Sequence, residues 1–421
     1  MQAYISAWTY TTGRGVLNTK RPLLYNPFDP VLRADPYPVY RRLRDEEPVH
    51  RSPLGFWALS RYADVVALQR DTSMEFFGPQ TLDRLKDAMT DPSSPAAKVG
   101  RWLLFTDRQE HRRFRGLMGR FFTPRAVEKV RPLVSAKVEE LLDRLPVDQP
   151  VDLVAEFAKP LPMTMFSEWL GIPPADRAQI RQWAASIGRI LVSVLNPEMI
   201  RKMADAVLAC DAYLRDQIAE RRRAPRDDLL SEMLGATHGG EAISDDELVA
   251  NVILLLGATY ETTVNMLGNS IHALLQHPDQ RELLRDDRSL ITNAVDELLR
   301  YDSPAQLHGR YTPHDLEVDG KVISAGSRII LLIGAANRDP ERFTDPDRLD
   351  LRRPEPRPLS FGTGVHACLG AWVARLESEV ALSMLLDRFP SIGCITEPLH
   401  WRPEPAAIRA LRALPVQLST R

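Results

Sequence analysis

The chain has 421 residues, 44% hydrophobic and 26% charged, so it can bury a large core and lies outside the compositions of disordered, collagen-like or tail segments. Lys and Arg total 54 against 56 Asp and Glu, a net charge of −2 that offers no overall field for a polyanion, and nucleic acid is not an expected partner. Three cysteines (Cys210, Cys368 and Cys394) with no CxxC pair give no disulfide framework and no structural zinc site. With no export signal and no uninterrupted apolar run of about 18 residues, a cytoplasmic protein without a membrane span is expected.

Residues 1–25 read as a polar N-terminal extension. The Pro-punctuated run from Asn26 to Pro38 leads into a first amphipathic helix, Val39 to Asp45, and short strands follow near Val49 to Arg51 and Phe56 to Leu59. Phe76 to Val99 carries Gly78, Pro79, Pro92 and Pro95 and reads as a long surface loop of the kind that forms lids. From Asp107 to about Pro304 the pattern is almost wholly helical, with stops at Pro124, Pro146, Pro150, Pro173-Pro174, Asn196-Pro197 and Gly239-Gly240. Its clearest element starts at Ser244, where the Ser244/Glu247 spacing is a capping box and Asp245 and Asp246 complement the helix dipole. The helical pattern then runs to about Gln276, a span of about 45 Å. A second helix covers Ser289 to Tyr301. β-like segments at Leu316 to Val318, Val322-Ile323 and Arg328 to Ile333 precede an irregular Pro- and Arg-rich stretch, Asn337 to Pro358. A Gly-rich loop, a helix from Leu369 to Arg388 and a β-like C-terminus complete a mainly α chain with a smaller β region.

The sharpest local signal is the run from Phe361 to Gly370, FGTGVHACLG, in which Gly362, Gly364 and Gly370 surround Cys368 just before a helix. Such a loop brings backbone N–H groups and the positive end of a helix close to sulfur, which favours the thiolate needed by a nucleophile or a metal ligand. A buried inert cysteine needs no such setting. A Cys version of the nucleophile elbow would have Gly where His366 stands, and no βαβ pattern precedes it. A metal ligand remains.

Phe361, Gly362, Gly364, His366, Cys368 and Gly370 resemble the cysteine-ligand loop of the cytochrome P450 monooxygenases. Further similarity lies in Glu297-Leu298-Leu299-Arg300, which looks like the family's ExxR helix, and in His111-Arg112-Arg113-Phe114-Arg115, the run Phe122 to Arg125, the run Asn337 to Pro340, WALSRYADV at Trp57 to Val65, and the run Ala374 to Glu377. The resemblance implies a P450 fold over residues 26–421 as a single haem domain, with a long central helix over haem b and the cysteine loop on the opposite face. It implies Cys368 as the iron ligand, with Phe361, Gly362 and Gly370 shaping the loop. His111, Arg115, Arg310 and His366 are then expected to hold the two propionates, with His308 near them, and Glu297, Arg300 and Arg348 to form a structural ion cluster.

Within the long helix, Gly257 to Thr263 (GATYETT) interrupts an apolar stretch, and a buried acid beside hydroxyls needs a reason. Either Thr262 and Thr263 bond back to carbonyls one turn earlier and Glu261 faces solvent, or, as the resemblance implies, Glu261 and Thr262 are an acid–alcohol pair that relays protons to dioxygen. Thr259 departs from the family, where Gly is usual; its hydroxyl is expected to bond to the Leu255 carbonyl, and its side chain to narrow the cavity. Leu255, Ala258, Thr259, Ala305, Gln306, Leu307 and Ile408 are expected substrate contacts by the family's layout, together with Phe76 to Val99, Ile190 to Val194 and Ala407. The implied function is O2-dependent hydroxylation or epoxidation of a small apolar organic substrate in bacterial secondary metabolism. Electrons would come from a ferredoxin and an NAD(P)H-dependent ferredoxin reductase, docked on a basic patch of Arg112, Arg113, Arg120, Arg353 and Arg357, and a monomer is expected. The alternatives are peroxygenase or oxidative coupling chemistry, or a haem sensor without turnover.

Overall fold

The computed structural model describes residues 23–78, 88–106, 108–192, 197–238, 240–395, 399–403 and 405–420. Its helices of nine or more residues are α1 (Tyr37–Glu46), α2 (Tyr62–Arg70), α3 (Arg108–Gly119), α4 (Arg131–Leu142), α5 (Pro160–Trp169), α6 (Arg177–Val192), α7 (Pro197–Arg223), α8 (Asp245–Gln276), α9 (Pro278–Asp286), α10 (Ile291–Tyr301) and α11 (Ala371–Arg388). The strands are β1 (Val49–Arg51), β2 (Trp57–Leu59), β3 (Pro150–Asp152), β4 (Thr237–His238), β5 (Glu241–Ala242), β6 (His308–Tyr311), β7 (Leu316–Val318), β8 (Lys321–Ile323), β9 (Arg328–Leu331), β10 (Ser391–Cys394) and β11 (Pro415–Ser419).

α8 organises the helical half. Ser244 caps it, accepting from the Glu247 N–H, while the Glu247 carboxylate accepts from the Ser244 N–H, and the helix stops at His277 ahead of Pro278. At 32 residues it is about 48 Å long. By length and composition α8 could cross a membrane, but 56% of that apolar window is buried within the fold, the profile of a core helix. It is packed by α5, α6, α7, α10 and α11. The contact with α6 is backbone on backbone: a Cβ added to Gly188 would stand 2.6 Å from the Gly257 carbonyl oxygen. Those two glycines let α6 lie close on α8 one residue before the GATYETT interruption.

The β half is a four-stranded sheet in the order β1-β2-β9-β6, antiparallel except for the parallel β2/β9 pair, and a three-stranded sheet β10-β11-β3. Three-residue β3 and the two-residue β4/β5 hairpin fall inside the stretch expected to be wholly helical; strands that short carry no periodicity to read. Of the expected N-terminal extension, residues 1–22 lie outside the described residues. Tyr25 is no part of an extension: it is 1% exposed and packs against Tyr40 and Phe56. Of the expected lid, residues 79–87 lie outside the described residues.

Candidate active site

Cys368 sits in a loop whose shape requires glycine. Gly362 has φ 67° and Gly364 φ 76°, the left-handed region that side chains disfavour, and a Cβ on Gly364 would stand 2.9 Å from the Gln69 carbonyl. The Cys368 N–H donates to the Phe361 carbonyl at 2.7 Å. Cys368 is exposed whereas Cys210 is buried, yet protein atoms surround the Cys368 side chain on enough sides that burial pushes its thiol up. Together these place the sulfur on the wall of an interior space. The Gly370 N–H and the charges of Arg115 and Arg375 oppose that rise, the expected thiolate-favouring set. Gly370 caps α11, and Arg375 lies 4.5 Å over the Phe361 ring and 2.8 Å from Asp296.

Four cationic side chains converge beside this loop. The His111 and His366 rings are 4.4 Å apart, and Arg115 donates to the Ala367 carbonyl at 2.5 Å. Arg310, on β6, is 9% exposed, lies 4.1 Å over the Phe76 ring, and donates within the protein only to its neighbour's carbonyl, Gly309. Burial, then the charges of His111, Arg310 and Arg115, pushes His366 down to about 4; burial pushes Arg310 down to about 10 and lowers His111 and Arg115. His111 Nε2 is buried with no hydrogen-bond partner. Among the described residues none of the four has a carboxylate partner, and buried cations with no anion are costly unless a ligand supplies one. Two propionates fit that demand, and the residues suit haem b. His308 stands beside them, 3.1 Å from Gln69 Nε2, and burial with the Arg310 charge pushes it down to about 3.

Across the space, α8 offers its polar interruption. The Thr262 hydroxyl donates to the Ala258 carbonyl at 2.8 Å, and the Thr259 hydroxyl donates to the Leu255 carbonyl at 2.9 Å, the expected bond. Glu261 does not face open solvent: its carboxylate is 2.8 Å from Arg402 Nη2. Arg402 had no local signal in the sequence.

Three expectations need correction. In the ion cluster the third cation is Arg353, whose Nε is 3.1 Å from Glu297; Glu297 and Arg300 are wholly buried at 2.6 Å. Arg348 is exposed and contributes only its carbonyl, which accepts from Arg300 and Arg353. The basic patch therefore loses Arg353, and Arg113 is held by Glu247 and Arg357 by Glu355. Among the expected substrate contacts, Ala305 and Ile408 meet in an antiparallel bridge. The Gln306 amide instead turns to the Ser303 carbonyl and Gly334, because alternate residues of an extended segment face opposite sides. Leu307 packs on the Tyr25–Tyr40–Phe56 cluster. Leu255 and Ala258 lie half-buried on α8, and the side chains of residues 190–194 lie outside the described residues.

A cysteine loop under a long interrupted helix, with unpaired cations beside the sulfur, defines a haem-thiolate protein. The family model for cytochrome P450 matches residues 179–392. Cytochrome P450 107B1 of Saccharopolyspora erythraea is 40% identical over 402 residues, 93% of this chain and 96% of that protein. The solved structure of Bacillus subtilis PksS, a bacillaene polyketide synthase cytochrome P450, superposes with TM-score 0.84 at 35% identity, covering 94% of this chain and 100% of that one. P450BioI, solved with an acyl carrier protein ligated to hexadec-9Z-enoic acid, gives 0.84 at 33% identity over 93% and 99%. The chain belongs to the cytochrome P450 family: it is a monooxygenase that uses haem b bound through a cysteine thiolate.

Proposed function

We propose that this monooxygenase hydroxylates or epoxidises a small apolar organic substrate of bacterial secondary metabolism, as a cytoplasmic monomer whose residues 26–421 form a single haem domain. Bound haem b supplies the dioxygen activation and oxygen-atom transfer, with the Cys368 thiolate directing electron density to the iron. His111, Arg115, Arg310 and His366 hold the propionates and fix the orientation of the group. Glu261 carries protons from the protein surface to the Thr262 hydroxyl, which holds them at the α8 face of the cavity. Leu255, Ala258, Thr259, Ala305 and Ile408 shape the apolar wall and exclude water from the reacting carbon. The observation that carries the reading is the set of buried, anion-less cations beside Cys368. The relatives named for polyketide biosynthesis, and the one solved with a carrier-bound fatty acyl chain, support an acyl- or polyketide-derived substrate.

Electrons enter from a ferredoxin and its NAD(P)H-dependent reductase on the cysteine side. Exposed Arg112 and Arg120 supply the charge for an acidic donor, and exposed Val365 and Trp372, flanking Cys368, supply the apolar contact. Titrating the holoenzyme with fatty acids, macrolactones and sterols while following the spin-state shift tests the substrate class. A shift with acyl or polyketide compounds, followed by an oxygenated product in reconstituted turnover, is expected; a shift confined to polar compounds would overturn the reading.

A further inference from the structure

Glu261 Oε1 lies 2.8 Å from Arg402 Nη2, with side chains 13% and 32% exposed, whereas Glu261 Oε2 is buried without a hydrogen-bond partner. The acid is thus held by one oxygen and left open at the other. Arg402 belongs to a hairpin-like C-terminal segment. Trp401 bridges Leu411, the Arg402 N–H donates to the Ala410 carbonyl at 2.8 Å, and the Arg412 N–H donates to the His400 carbonyl at 2.9 Å. Arg33 clamps this segment from the N-terminal side, its guanidinium donating to the carbonyls of Arg402 at 3.0 Å, Ala406 at 2.9 Å and Ile408 at 2.7 Å. Arg409 stacks 3.4 Å over Trp401 and pairs with Asp302 at 2.8 Å. The backbone of Arg402 is therefore fixed, and so is that of Ile408, whose residue bridges Ala305.

We propose that Arg402 is the positioning residue of the acid–alcohol pair: from the C-terminal segment it holds Glu261 by Oε1, leaves Oε2 as the oxygen that exchanges the proton, and ties the acid to the segment that carries Ile408. A carboxylate sunk in an apolar helix needs a counter-charge, and a guanidinium on a fixed backbone supplies one with little loss of side-chain freedom. The proton cycle balances: Oε2 takes a proton from water and passes it to the Thr262 hydroxyl, which releases its own proton into the cavity, and the carboxylate returns to its ion pair with Arg402. The inference rests on the assignment of Glu261 as proton carrier.

The test compares holoenzyme variants Arg402→Leu, Arg402→Lys, Glu261→Gln and the double Arg402→Leu/Glu261→Gln. Two quantities are read: the thermal unfolding midpoint, and the share of consumed NADPH released as hydrogen peroxide rather than water, with plant ferredoxin and its reductase as donors and no substrate added. Arg402→Leu and Glu261→Gln should each raise the peroxide share several-fold, Arg402→Lys should restore much of the parent's share, and the double variant should be no worse than either single in both readouts. A parent-like share in Arg402→Leu beside a raised share in Glu261→Gln overturns this inference and leaves the proton carrier standing. A parent-like share in Glu261→Gln removes the carrier and the inference with it. A lowered midpoint in Arg402→Leu, with a peroxide share that Arg402→Lys does not restore, makes Arg402 structural only and also overturns the proposal.

Discussion

The two walls of the haem cavity treat buried charge in opposite ways. On the cysteine side, His111, Arg115, Arg310 and His366 are gathered with no protein carboxylate among the described residues to answer them, and burial lowers every one of their pKa values. On the α8 side, the one acid of the interruption is answered by the protein itself, through Arg402. The difference teaches what each wall is for: the first is completed by an anionic group that stays, and the second must hold a charge that comes and goes with a proton. Behind both walls, Glu297 has two arginines and Glu377 has none, so these four carboxylate and cation settings form a graded series of pairing.

The largest expected effect lies at the most completely paired site. Glu297→Gln or Arg353→Leu leaves an uncompensated charge in a wholly buried cluster and should lower unfolding stability by about 3–5 kcal/mol, enough to deplete the folded holoenzyme. Arg348→Ala, which keeps the carbonyl, should unfold in urea close to the parent; equal losses at Arg348 and Arg353 would break the assignment of the cluster.

Next, Arg310→Leu removes one donor to an anion that the protein does not supply. A hydrogen bond to a charged group is worth about 1.5–3 kcal/mol, so haem transfer to apomyoglobin should quicken about tenfold to a hundredfold, while Arg120→Leu on the outer surface should leave it unchanged. Parent-like haem retention in Arg310→Leu would erase the contrast between the walls.

Glu377 tests the unpaired end of the series. Both its oxygens are buried without partners, and burial pushes its carboxyl up to about 8. With the folded value above the ordinary carboxylate range, its contribution to stability is complete at acid pH and is lost as pH rises through about 8. The parent's unfolding midpoint should therefore fall between about pH 5 and about pH 9 by more than that of Glu377→Gln; identical slopes would mean that Glu377 has a partner.

Thr259→Gly is the smallest change and sharpens the account of the α8 wall. Removing a β-branched side chain whose hydroxyl is bonded to the Leu255 carbonyl frees the turn above the cavity, and the product position or the coupling of NADPH to product should change. An unchanged product profile, spin shift and coupling would assign Thr259 to packing alone.

Legibility in the sequence followed the same division. The cysteine loop is contiguous, its glycines are needed at Gly362 and Gly364 for positive φ, and its histidine and cysteine are two residues apart, so one short run carried most of that wall. The long helix was equally plain from its capping box and its stop before Pro278. Arg402 was invisible because it reaches α8 from an irregular C-terminal segment with no periodicity to place it. Arg353 was mistaken for Arg348 because both lie in one Pro- and Arg-rich stretch, where a backbone carbonyl and a guanidinium meet the same cluster and sequence spacing cannot tell them apart. Gln306 was misplaced by one residue of strand alternation, which reverses the face of a side chain.

The central claim is that Cys368, and no other cysteine, completes the cavity as the iron ligand. Cys210 is buried in α7 with its thiol pushed well up by burial, and Cys394 lies on β10, away from the glycine loop. The reduced carbon monoxide difference spectrum of the parent and of Cys368→Ser tests this most directly. The parent should show the strongly red-shifted Soret band of thiolate ligation and the variant should lose it; a variant that keeps the band would contradict the account.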